Sequence, residues 1–163
     1  MTHSSDTIAG QYAKCESDRI SYLERARDSA RLTIPTIMPD SGSTKSKKFP
    51  TPYQSTGARG VSNLSSALLM SLLPPNAPFF RLVIDEEEKT KMDAVDPAIK
   101  REVEKSLADI ERAVAREIEV NNIRVGTFEA LRHLVVTGNC LLYLPDEGPM
   151  RVIHLDRYVV KRD

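Results

Sequence analysis

Along most of this chain the apolar residues recur every three or four positions, and beyond residue 139 the interval shortens to about two. A period near 3.6 lines side chains along one face of a helix, and a period of two lines them along one face of a strand. The pattern therefore predicts an α+β fold, with several helices followed by a small antiparallel sheet. The first helix is expected over residues 8–32, with Ile8, Tyr12, Cys15, Leu23, Ala26 and Ala30 on its inner face. Asp6 or Thr7 caps its start, and Pro35 enforces its end. A second runs from Gly57 to Leu73 on a stripe of Val61, Leu64, Leu68 and Leu72, with Ala67 and Ser71 beside it, until Pro74-Pro75 stops it.

The remaining elements follow from the same signals. Phe79 to Asp85, rich in aromatic and branched residues, reads as a strand. Asp96-Pro97 is a helix start, an acidic cap followed by a proline whose missing N–H costs nothing in the first turn. That helix runs to about Val120. Its apolar residues Ile99, Val103, Leu107, Ile110, Val114 and Ile118 form a narrow seam between charged faces. Such a helix packs one face on its own domain or spans between neighbours. Asn121-Asn122 ends it. A further helix spans about Arg124 to Val136 on Phe128, Leu131, Leu134 and Val135, with Gly138 at its left-handed cap. Residues 140–144 and 150–155 then pair as a hairpin around Pro145 and Gly148, and Tyr158 to Arg162 extends that sheet. The chain stops on strand-like residues without winding down, which predicts more chain beyond Asp163.

Charge and composition remove whole classes. The chain has 163 residues, one domain's length, with 23 basic and 23 acidic side chains and a formal net charge of zero. Bulk positive charge is therefore not its way of holding nucleic acid. The longest apolar candidate, Ala67 to Pro75, is half the length of a membrane span. The N-terminus has no basic segment leading into an apolar one, so it is no secretion signal. Without secretion, Cys15 and Cys140 are expected as two thiols rather than a disulfide, and the Asn63-Leu64-Ser65 sequon carries no meaning.

No catalytic signature is present. The chain lacks a phosphate-cradling GxxxxGK[ST] loop and a GxGxxG turn, and its His and Cys residues never fall at metal-ligand spacing. No enzyme, cofactor or metal is expected. His133 reads as a helix-surface or boundary residue. Glu86, Glu87 and Glu88 read as a solvated turn. Residues 35–56, dense in Pro, Ser, Gly and Lys, bury little apolar surface. They form a mobile loop or an arm that orders against a neighbour.

Four stretches carry more than their physics. Tyr53-Gln54-Ser55-Thr56-Gly57-Ala58-Arg59-Gly60-Val61-Ser62-Asn63-Leu64 resembles the YQxxGARGxxNL segment of the portal proteins, or head-to-tail connectors, of short-tailed T7-like podophages. Arg31 to Pro39 is similar to the TIPxxxP segment of that family. Phe128 to Pro145 is similar to its FEALxxLVVxGNxLLYLP segment, and Tyr158 to Asp163 to its YVVxRD segment. The four occur in the family's order and span nearly the whole chain.

The resemblance implies a structural subunit of a dodecameric ring at one vertex of an icosahedral capsid. Genome is packaged and ejected through such a ring, and the tail attaches to it. Implied partners are further copies of the chain, the major capsid protein, a tail adaptor, a terminase motor and internal core proteins. Double-stranded DNA passes through without being gripped by this segment. The implied location is the virion, after assembly in the host cytoplasm, with no membrane contact. Residues 1–163 would be the N-terminal part of the wing and body, with an inter-subunit arm at about 35–56, and stem, clip and crown would lie downstream. A ring subunit must show apolar surface to its neighbour, so Val103, Leu107, Ile110 and Val114 are the candidate interface, with Arg59 at a helix start as a polar contact. The alternatives are a tail adaptor or head-completion protein, and a nucleic-acid-binding module using Lys45, Lys47, Lys48, Arg59 and Arg81.

Overall fold

The computed structural model describes residues 7–40, 42, 48–75, 77–86, 88, 90, 97–146 and 148–161. Helix α1 spans Ile8–Asp18 and α2 spans Ile20–Leu32. Thr7 caps α1, its hydroxyl accepting the Gly10 N–H at 3.2 Å. The single helix expected over 8–32 is thus two. The break falls at Arg19, whose backbone (φ −101°, ψ 1°) leaves the helical region. Its guanidinium donates instead to the carbonyls of Leu155 at 2.6 Å, Asp156 at 3.2 Å and Tyr158. Periodicity alone does not record such a long-range tie, so the stripe reads straight through the break.

Leu23, Ala26 and Ala30 form the buried face of α2, as their spacing requires. The following turn closes with Ile37 N–H on the Ile34 carbonyl at 3.0 Å. It buries Ile37 and Met38 in the same core. The first part of the segment read as an arm is therefore docked, because two large apolar side chains sit between its prolines. Residues 41 and 43–47 of that segment lie outside the described residues.

Helix α3 spans Thr56–Leu72, α4 spans Pro97–Val120 and α5 spans Ile123–Thr137. The Asp96 cap and Glu87 of the acidic run lie outside the described residues. In α3 the buried residues are Val61 and Ser65, with Leu64 and Leu72 exposed, so the inner face is rotated from the expected stripe. Close approach explains the rotation. A Cβ on Gly57 would lie 2.5 Å from the Leu32 carbonyl oxygen, whereas one on Gly60 would meet open space. Helix α3 enters against the end of α2 through Gly57 and packs along α5, with Ser65 fully buried.

Residues 79–85 do not form a strand, contrary to their composition. They run without a ladder partner among the described residues. The Leu82 N–H donates to the Glu111 carboxylate of α4 at 2.6 Å, which satisfies it in place of a neighbouring strand. The hairpin is as expected but shorter, with β1 (Leu141–Tyr143) antiparallel to β2 (Arg151–Ile153) and Leu142 opposite Val152. Residues 158–161 do not join that sheet. A 3-10 turn over Leu155–Arg157 redirects the chain toward Arg19, and the Tyr158 carbonyl is taken by its guanidinium. The core is Leu23, Ala26, Ala30, Ile37, Met38, Val61, Val136 and Leu155, flanked by Tyr22, Ile34, Val135 and Tyr158.

Two stability measurements check this arrangement by denaturant unfolding. Met38→Ala should cost about 2–5 kcal/mol, the range for a truncated core side chain, where an exposed arm residue would cost under ~0.5 kcal/mol. Gly57→Ala should destabilise by about 1–3 kcal/mol through overpacking, while Gly60→Ala should be neutral or stabilise by up to ~1 kcal/mol through helix propensity.

Candidate functional site

Helix α4 is the longest of the described elements, and none of its described side chains is buried. Val103, Leu107 and Ile118 are half-buried, while Ile110 and Val114 keep 50% and 40% of their surface in contact with solvent. The seam is therefore not closed by the described residues of this chain. The other faces of α4 are charged. Arg112 pairs with Asp109, and Asn121 donates to the Glu117 carboxylate at 2.6 Å. Glu102 and Glu104 are exposed.

The α4–α5 corner fixes where the seam points. Asn122 takes the left-handed conformation (φ 52°) that an asparagine tolerates, and the two helices meet there with no longer linker. Arg124 secures the corner. Its Nε donates to Glu119 at 2.6 Å, and its terminal nitrogens donate to the carbonyls of Leu73 and Pro74. One side chain thereby joins the end of α4, the start of α5 and the end of α3. The sequence gives no sign of it, because an arginine satisfying carbonyls leaves no spacing pattern.

Arg59 sits in the first turn of α3 and is exposed, with no ion pair to any described residue. Its neighbours along the outer face of α3 are Gly60, Leu64, Ala67 and Ser71, all exposed. The Ser71 hydroxyl donates back to the Ala67 carbonyl at 3.0 Å, and the polar side chains of Asn63 and Ser66 are exposed on the same side. The nucleic-acid alternative finds less. Lys48, Arg59 and Arg81 are exposed, and Lys45 and Lys47 lie outside the described residues. Among the described residues no three His, Cys, Asp or Glu side chains converge as a metal site, and no helix is long and apolar enough to cross a membrane. Cys15 and Cys140 are free thiols.

His133 is the misread residue. It is not on the surface but 4% exposed, on the inner face of α5. It meets His154, just beyond β2, edge to face at 4.6 Å between ring centroids. His154 Nδ1 lies 3.0 Å from the Ile37 carbonyl oxygen and donates to it in the tautomer that carries the hydrogen there. Thr36, Phe128, Glu129 and Arg132 complete the wall of a cavity of about 300 Å³ beside the pair. The pair thus joins α5, the hairpin and the 34–38 turn. Burial is the largest reason the His133 pKa is lowered below 6.5, with the neighbouring His154 next, against weaker raising by Glu129 and Asp156.

A depressed folded-state pKa means that the unfolded chain binds the extra proton first. Stability should therefore be level above about pH 6.5 and fall as the pH drops below that value. Denaturation midpoints between pH 7.5 and about 5 measure the slope, and His133→Gln should flatten it.

The family model described as bacteriophage head to tail connecting protein matches residues 5–163. The chain is 40% identical to the portal protein of Escherichia phage T7 over 163 residues, covering 97% of this chain and 30% of that protein. It is 39% identical to the portal protein of Enterobacteria phage T3 over 162 residues, with the same coverage of 97% and 30%. The portal protein of Enterobacteria phage SP6 is 31% identical over 153 residues, covering 93% of this chain and 29% of that protein. The chain spans about three-tenths of the length of these curated relatives.

Proposed function

Because the chain belongs to the bacteriophage head to tail connecting protein family, we propose that it forms the N-terminal wing and body part of a portal subunit, working in a closed ring at one capsid vertex. The ring is the passage for genome packaging and ejection and the attachment point for the tail. Its neighbours are further copies of the same protein, the capsid shell and the tail. A dodecamer, the major capsid protein, a tail adaptor, a terminase motor and internal core proteins are the finer expectations of the family resemblance. The finished protein resides in the virion, after assembly in the host cytoplasm.

The observation that carries this reading is the open seam of α4. An apolar ridge held in water on a long, rigid helix is unfavourable in a lone subunit and becomes favourable when a neighbour covers it. Cyclic rings are built from such contacts, in which one patch meets a different patch on the next copy. The net charge of zero also suits a segment that must not grip passing DNA. The relatives are portal proteins, which favours this reading over a tail adaptor or a nucleic-acid-binding module.

Full-length protein carrying Ile110→Asp or Val114→Asp tests it. Helix content should stay at the wild-type level, because both positions face solvent in the subunit. Rings seen by negative-stain microscopy should fall about tenfold or more, because each contact would bury an unpaired carboxylate. Wild-type ring yield with either variant would mean that the seam faces water in the assembly.

A further inference from the structure

Between α5 and the 3-10 turn the chain is fixed at both ends and held lightly in the middle. The Thr137 hydroxyl donates to the Asn139 carbonyl at 2.7 Å, and the Tyr22 hydroxyl donates to the Thr137 carbonyl at 2.6 Å. From Leu155 onward the chain is fixed again, with Leu155 buried and its carbonyl taken by Arg19. The hairpin lies between these anchors. All three residues of β1 are exposed, and β2 is the strand that packs on α5. Met150 lies against Gly126. His154 closes the far end, with its ring on His133 and its Nδ1 3.0 Å from the Ile37 carbonyl oxygen.

The ring beneath His154 is poorly placed to carry charge. The His133 side chain is 4% exposed, and neither ring nitrogen has a hydrogen-bond partner among the described residues. A buried imidazole without a carboxylate partner takes up a proton only by desolvating the charge, and a second imidazole at 4.6 Å adds repulsion when both are charged. The groups that act on it are few. Glu129 and Arg132 stand on α5 itself, Asp156 on the 3-10 turn and His154 at the end of the hairpin; residues 34–38 carry no ionisable side chain, and none of the groups is on α2, α3 or α4. Glu129 and Asp156 favour the charged ring, but both are exposed and screened by water. Burial, His154 and Arg132 oppose it, burial most of all. The cavity of about 300 Å³ that both rings line gives His154 space to leave without displacing α5.

We propose that the His133–His154 contact is an acid-released latch on the hairpin. At neutral pH the two uncharged rings hold the end of the hairpin on α5. In mild acid His133 takes a proton, and residues 140–154 swing away between their fixed ends, so that the charged ring reaches water. The 34–38 turn stays behind through Ile37 and Met38, which are buried in the core. The latch belongs to the single chain and needs no ring. An open state in which His133 titrates near the ordinary 6.5, set against a closed state that does not take the proton, gains about tenfold in population at pH 5.5.

Hydrogen exchange of the full-length protein, read by mass spectrometry and corrected for the pH dependence of chemical exchange, tests the latch. Between pH 7.5 and 5.5, peptides covering residues 140–154 should lose protection about tenfold, while those of α3 and α4 keep theirs. His133→Gln should abolish the difference. His154→Asn, at a half-buried position, keeps an amide donor for the Ile37 carbonyl but uncovers His133. It should lower hairpin protection already at pH 7.5 and shrink the change with pH. Equal hairpin protection at both pH values in the wild type overturns the latch. So does an equal loss in α3 and α4, which is unfolding of the whole chain. The wild-type pH difference persisting in either variant, or full hairpin protection at pH 7.5 in His154→Asn, overturns the part assigned to the pair.

Discussion

The fold depends on how completely α5 is surrounded. Its fifteen residues include only Arg124, Glu129, Arg132 and His133 as ionisable groups. Helices α2, α3 and α4 and strand β2 all pack against it. A helix that is apolar around most of its circumference has no stable position except inside other elements. Ala130, Leu131, His133, Val136 and Thr137 are buried. Where each neighbour settles is then decided by small features. Met150 approaches closely enough that a Cβ on Gly126 would lie 2.7 Å from its Cε, and Tyr22 reaches the Thr137 carbonyl at 2.6 Å. Gly138 ends α5 in the left-handed conformation, φ 74°, which a side chain would strain.

Two arginines then fix the periphery. A helix end leaves carbonyls without backbone partners, and a buried carbonyl left unpaired is costly. Arg124 answers that need at the end of α3, and Arg19 answers it at the 3-10 turn after β2. Each guanidinium spans elements more than fifty residues apart in sequence. This explains why the hairpin, only two strands wide, holds its place. A two-stranded sheet is marginal by itself. Here Leu155 is buried beyond its second strand, and Arg19 pins the carbonyls of Leu155, Asp156 and Tyr158.

Local signals in the sequence were reliable wherever a short pattern decides the outcome. Thr7 as a cap, Gly138 as a left-handed stop, the bounds of α4 and the β1–β2 hairpin all follow from neighbours within a few residues. What periodicity could not show was which of two adjacent stripes turns inward. In α3, Leu64 is the larger residue, yet Ser65 is buried, because helix approach through Gly57 rewards small volume over hydrophobicity. The same limit hid His133, whose polar ring is tolerated inside by stacking on His154. It also made residues 79–85 look like a strand, since branched and aromatic residues suit any extended, half-covered segment and the sequence does not reveal whether a partner strand exists. The interface candidates were legible as a seam, but their exposure was not. Only the packed helices show that Ile110 and Val114 stay open.

That openness is general across the molecule. Among the described residues, more large apolar side chains stand exposed than lie in the core. Exposed apolar residues scattered singly need no explanation, but runs of them along one element do. They run along α3, along α4 and through Leu141 to Leu144. Closing these surfaces within the described elements would add apolar burial to a small core. A thin core around α5 with apolar ridges left outside leaves part of the hydrophobic driving force to be released when those ridges are covered. The charged sides of α4 keep its ridge narrow and so restrict which surface can cover it. Any surface that covers the seam must match its spacing as well as its polarity.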